Sequence, residues 1–168
     1  CTCYSQFRFP LEYGAQRSQT AQWTVTGAGA MVLGKEGDFP EVRYVTTGLV
    51  KDYGVMDANN MGAAMTPAAV DTIYKHFKDT GKTPKDYDII ATGDLGRVGK
   101  QMTDKLLLEY GYDMRDNHID CGDIIFNSEA QNTDAGGSGC GCSATVTYGH
   151  FLNRMRKGEI GRASCRER

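Results

Sequence analysis

From Gly136 to Ala144 the chain reads Gly-Gly-Ser-Gly-Cys-Gly-Cys-Ser-Ala, nine residues with no side chain larger than a thiol. A helical pattern, Thr145 to Lys157, follows directly. Residues this small let another backbone or a flat ligand come very close. At a helix start they also present backbone N–H groups that lack intrahelical partners and favour anions. Ser138 is the expected N-cap, because its hydroxyl accepts from an N–H two or three residues on. Tight helix packing explains the run equally well. Two nucleotide-binding loops do not fit it. No Lys-Ser/Thr follows the glycines, and the Gly137-x-Gly139-x-Gly141 spacing departs from the dinucleotide fingerprint.

The rest of the chain narrows the classes further. Its 168 residues suffice for one domain with a proper core. A net charge of −2 with no basic stripe argues against nucleic acid as a partner. No apolar run reaches the ~18 residues of a membrane span. The six cysteines (Cys1, Cys3, Cys121, Cys140, Cys142 and Cys165) lack the paired spacing of zinc sites. Most are expected to be reduced, small and buried, and neither a metal nor a cofactor is expected. The last ten residues, Glu159 to Arg168, can be encoded by part of a common sequencing adapter. They are therefore expected to be a non-native tail outside the fold. The start at Cys1-Thr2-Cys3, without a methionine, adds the expectation of a fragment cut at both ends, with 1–158 forming one incomplete domain.

Periodicity predicts strands over Thr20 to Leu33 and Glu41 to Val50, joined as a hairpin through Lys35-Glu36-Gly37-Asp38. It predicts a helix over Met61 to Phe77, with Pro67 in the first turn and Gly81 as a stop. A short strand is expected at Tyr87 to Ala91, a helix at Met102 to Tyr110, and an extended segment at His118 to Phe126 bent at Gly122. This order is α/β. Ligands in such sheets sit beyond the carboxyl ends of strands, which selects two segments: Thr92-Gly93-Asp94-Leu95-Gly96 and Gly136 to Cys140. The two are expected to lie together on one rim.

Several blocks carry a resemblance to a known family. They are Gln6-Phe7-Arg8-Phe9-Pro10-Leu11-Glu12-Tyr13-Gly14, Trp23-Thr24-Val25-Thr26-Gly27-Ala28-Gly29-Ala30, and Asp86-Tyr87-Asp88 leading to Thr92-Gly93-Asp94-Leu95-Gly96. Asp120-Cys121-Gly122 and the Gly136 to Ala144 run complete the set. In order and spacing the chain resembles the stage V sporulation protein AD family from about Gln6 to Gly158. The resemblance implies a thiolase-like, layered α-β-α-β-α architecture of which only the second half is present. It also implies a role in moving dipicolinic acid into the forespore. The partners it implies are dipicolinic acid, with calcium as a possible companion, other stage V sporulation membrane proteins, and a second copy in a homodimer. The implied location is peripheral, at the forespore or spore inner membrane. Two departures stand out: Cys1-Thr2-Cys3-Tyr4-Ser5 lacks the His- and Glu-containing run of relatives, and Asp134 stands where they often carry His.

The residues favour binding over catalysis. A thiolase or ketoacyl synthase needs a nucleophilic Cys with His/His or His/Asn partners. Thr92-Gly93-Asp94 and Gly137-Ser138-Gly139 stand where those partners would be expected. His76 and His150 fall inside predicted helices, and His118 reads as a turn residue. The expected ligand-binding set is Thr92, Asp94, Asp120, Cys121, Gly137, Ser138, Gly139 and Cys140, with no catalytic residue. Arg8 or Arg97 is a candidate for a bidentate fork to a carboxylate. Two alternatives remain open: an acyl-transfer or condensing enzyme, and a structural scaffold of a spore membrane complex.

Overall fold

A computed structural model of the protein describes residues 18–37 and 40–166. The Gln6 to Gly14 block, Arg8 within it, and Cys1 to Ser5 lie outside the described residues. β1 is brief (Trp23–Thr24). Helix α1 (Met61–Thr80) starts where the Asn60 side chain accepts from the Ala63 N–H at 3.1 Å. It stops at Gly81, whose φ of +65° is the left-handed closure that glycine permits. Pro67 sits in its second turn rather than its first, removing one main-chain donor from the helix interior. A short 3₁₀ turn, Pro84–Asp86, leads into β2 (Ile89–Thr92).

Helix α2 (Gly96–Glu109) begins six residues before the expected Met102. Its cap comes from far away in sequence: the Asp120 carboxylate accepts from the Leu95 and Gly96 N–H groups at 3.0 and 2.8 Å. No local signal marks such a start. β3 (His118–Asp120) runs straight into the one-turn helix α3 (Cys121–Ile124), so the expected extended segment is cut short. The chain continues through α4 (Ser128–Gln131), β4 (Gly137–Ser138) and α5 (Cys140–Val146). A π-turn over Thr147–Phe151 joins α5 to α6 (Leu152–Arg156), and β5 (Ala163–Arg166) closes the described chain.

The result is a mixed α/β structure with parallel sheets. One sheet has the order β3-β2-β5, and β1 pairs with β4 in the other; every pairing is parallel. Alternation along β2 serves two cores, as a strand's pleat requires. Ile89 and Ala91 join Val25, Cys121, Cys142, Val146, Phe151 and Ile160. Ile90 faces the other way, toward Val70, Ile73, Phe77, Leu107 and Met114 from α1, α2 and the loop after it. Helices α1 and α2 cross at a glycine contact: a Cβ on Gly62 would lie 2.7 Å from the Leu95 carbonyl oxygen and 2.8 Å from the Gly99 nitrogen.

Two further expectations are corrected. The long strands at Thr20 to Leu33 and Glu41 to Val50, and the hairpin between them, do not form; only Trp23–Thr24 pairs. β-propensity without a neighbouring strand to complete the ladder does not make a strand. Instead the second stretch and the residue after it are pinned to α1, through the Thr46 hydroxyl on His76 Nδ1 at 2.8 Å and Lys51 on Asp71 at 3.4 Å. Residues 159–166 of the segment set aside as lying outside the fold contribute to it. Ile160 is buried, Asp88 accepts from the Gly161 and Arg162 N–H groups at 2.8 and 2.9 Å, and Ala163–Arg166 pairs with β2. Among the described residues no helix is long and apolar enough to cross a membrane.

Candidate functional site

The carboxyl ends of β2, β3 and β4 meet at one rim, and polar side chains tie their loops together. Gln22, just before β1, donates through Nε2 to the Asp94 carbonyl at 2.9 Å and to the Gly137 carbonyl at 2.8 Å. The Asp94 carboxylate accepts from the Gly139 N–H at 3.1 Å. The two segments selected from sequence, Thr92 to Gly96 and Gly136 to Cys140, are thus brought together as expected. Gly93, Asp94 and Leu95 also border a cleft of about 1490 Å³ that Thr147 and Tyr148 line from the π-turn.

Behind the rim lies a buried polar chain. Lys100 Nζ bonds one oxygen of Asp104 at 2.9 Å, and the other oxygen meets His118 Nδ1. His118 Nε2 lies 2.9 Å from the Thr92 hydroxyl, which donates to Asp120 at 2.6 Å. Asp120 further accepts from Leu95, Gly96, Gly122 and Asp123 N–H groups. Burial pushes the Asp120 carboxyl up from its ordinary value, against the Thr92, Gly96 and Leu95 donors that favour its charged form. Burial acts the same way on Asp104, but there the hydrogen bonds and charges of His118 and Lys100 win and hold the carboxyl below the usual range.

The expected ligand set divides into rim and support. Gly139 is half-buried and Cys140 is exposed, and the Asp94 carboxylate, itself buried, accepts from the Gly139 N–H. Thr92, Asp120, Cys121, Gly137 and Ser138 are buried behind them. Ser138 is not the N-cap of α5; it sits in β4, its carbonyl accepting from the Val25 N–H at 2.8 Å, and Gly139 with φ +102° takes the cap position. The glycine run itself serves close packing. A Cβ on Gly137 would stand 2.7 Å from methyls of Val25 and Ile125, and one on Gly141 2.5 Å from the Gly27 carbonyl. Gly137→Val therefore collides with the core, and Gly139→Val forces a branched residue into positive φ.

Other candidates change role. Arg97 is engaged by Asp123 at 3.2 Å and by the Ser128 hydroxyl on the α3–α4 side. His118 is not a turn residue but a fully buried strand residue. His76 and His150 lie in α1 and in the π-turn, as expected. Cys142 is buried, and burial, with the charges of Asp120 and Asp94, pushes its thiol up to about 12, so it is no nucleophile at neutral pH. Among the described residues no cluster of three or more His, Cys, Asp or Glu is placed to hold a metal. Sequence reasoning missed Gln22 and Asp104. Asp104 reads locally as an i,i+4 surface partner of Lys100, and Gln22 as an ordinary residue beside a strand.

A family model described as Stage V sporulation protein AD matches residues 1–165. The Stage V sporulation protein AD of Bacillus subtilis (strain 168) is 47% identical over 161 residues, covering 96% of this chain and 47% of that protein. The chain thus spans about half the length of the curated relative it matches.

Proposed function

This chain belongs to the stage V sporulation protein AD family, a sporulation family, and from that premise we propose that its rim is a non-catalytic site for dipicolinic acid, supporting uptake of that acid into the developing spore. The observation that carries the reading is the junction of the β2 loop with the start of α5, where Asp94 meets the Gly139 N–H at the border of an open cleft. Dipicolinate is a flat pyridine with two carboxylates. Glycine backbone lets such a ring come close, and Tyr148 on the cleft wall offers it an aromatic face.

Asp94 governs the electrostatics. Its carboxylate already occupies the Gly139 N–H, so a dicarboxylate meets a like charge there. A calcium ion shared by Asp94 and the ligand carboxylates removes that repulsion and uses the oxygen ligands calcium prefers. The engagement of both His118 nitrogens, by Asp104 and Thr92, supports binding over acyl transfer, since it leaves that ring no nitrogen to act as a base. The parallel sheet with helices on both faces suits half of a thiolase-like arrangement, completed by the rest of a full-length protein and a second copy. Attachment to the forespore membrane is peripheral in this reading, through other stage V sporulation membrane proteins.

Titration calorimetry of dipicolinate against the wild-type protein and Asp94→Asn, each with and without calcium, tests it. Wild type should bind with calcium and bind much more weakly without it. Asp94→Asn, similar in size and uncharged, should lose the calcium dependence. Absence of binding by wild type under both conditions would sink the proposal.

A further inference from the structure

We propose that His118 is a positioning residue that carries a hydrogen on both ring nitrogens and, through Thr92 and Asp120, holds the Thr92–Gly96 loop in place. The inference concerns the support behind the rim and holds whichever ligand the rim takes; failure of dipicolinate to bind leaves it standing.

Hydrogen counting carries it. Asp120 is met only by donors: the Thr92 hydroxyl and the N–H groups of Leu95, Gly96, Gly122 and Asp123. Each oxygen accepts at least two of these bonds, so a carboxylate is the form that matches the surroundings. Thr92 has one hydroxyl hydrogen and directs it to Asp120 at 2.6 Å, a separation usual for a hydroxyl on a charged oxygen. Thr92 Oγ1 is then an acceptor toward His118, so Nε2 bears a hydrogen. On the far side Nδ1 meets a carboxylate oxygen of Asp104, whose other oxygen takes Lys100, and Nδ1 bears a hydrogen as well.

The charges close. Lys100 and His118 carry two positive charges against the two negative charges of Asp104 and Asp120, so a fully buried imidazolium is compensated on both sides. From other elements, the Cys142 thiol on α5 feels the charges of Asp120 and of Asp94 on the β2 loop, and Arg115, paired with Asp113 ahead of β3, feels the charge of Asp104. Mechanically, the chain links α2 to the end of β2 and the start of α3. Asp120 in turn grips the backbone of Leu95 and Gly96, immediately after Asp94.

Long-range ¹H–¹⁵N correlation spectra of the histidine-labelled protein read the protonation directly. The chain has three histidines, and the signal lost in His118→Gln is assigned to His118. Wild type should show both ring nitrogens of His118 protonated; a neutral ring with one bare nitrogen would overturn the proposal. Thr92→Val removes the acceptor and should return the ring to one hydrogen, while Thr92→Ser restores two. An unchanged ring in Thr92→Val would also overturn it. Amide exchange at Leu95 and Gly96 reads the positioning. His118→Leu should speed it about tenfold, the loss expected for one charge-assisted hydrogen bond. His118→Gln places an amide donor where Nε2 stood and should stay near wild type. Wild-type exchange in His118→Leu would refute the positioning role, and if that variant fails to fold, the wild-type spectrum decides alone.

Discussion

Residues 61–126 and residues 25–57 are similarly supplied with apolar and β-branched side chains, yet they meet opposite fates. The first stretch builds α1, β2, α2, β3 and α3 around Leu107, Phe77 and Met114, which are essentially inaccessible. The second forms no strand among its described residues and leaves Val32 97% and Val50 99% exposed. Apolar pattern is therefore not the deciding variable. In the first stretch each strand has a parallel neighbour within reach, and each helix an apolar face to cover it. In the second, backbone donors and acceptors find no ladder, and three scattered side-chain contacts to α1 replace one.

The largest expected effect breaks the ordered region at its polar hinge. Asp120→Ala strands a buried hydroxyl and the N–H groups that open α2 and α3, and urea unfolding should show a loss of about 4 kcal/mol. Leu107→Ala, a cavity in the α1–α2 core, should cost about 3 kcal/mol in the same measurement. A mild result in either would mean that the ordered stretch owes less to its core than its burial indicates.

A smaller effect sharpens the electrostatic side of the contrast. Asp104 is held below its ordinary value in the folded chain, so it binds its proton less readily there than when unfolded. Its stabilising contribution is complete above the unfolded value of about 4 and fades as pH falls through the folded one. Asp104→Asn should therefore flatten part of the acid limb of a stability–pH curve. At the other end, Val50→Thr lies in the unpartnered stretch and should shift the unfolding midpoint by no more than about 0.5 kcal/mol. A larger loss would show that residues 25–57 are packed more firmly than their exposure shows.

What could be read from the chain and what could not follow a physical line. Helix α1, the β2 strand, the α/β class and the meeting of the Thr92 and Gly136 segments were legible, because helical spacing, glycine stops and small-residue turns are local signals. The start of α2 was not, since Leu95 and Gly96 are capped by an aspartate from β3. The candidate site divides the same way. Gly139 and Cys140 stand at the rim with the buried Asp94 carboxylate held against Gly139, whereas Thr92, Asp120 and Cys121 are its buried support, and Asp104 and Gln22 entered only through contacts 14 or more residues apart. Sequence by itself determined helix α1 and the body of α2, the glycine that closes α1, and the family to which the blocks belong. Tertiary structure alone decided which strand-like stretches become strands and which buried polar groups satisfy one another. A ladder or a buried carboxylate needs a partner that spacing along one chain does not specify.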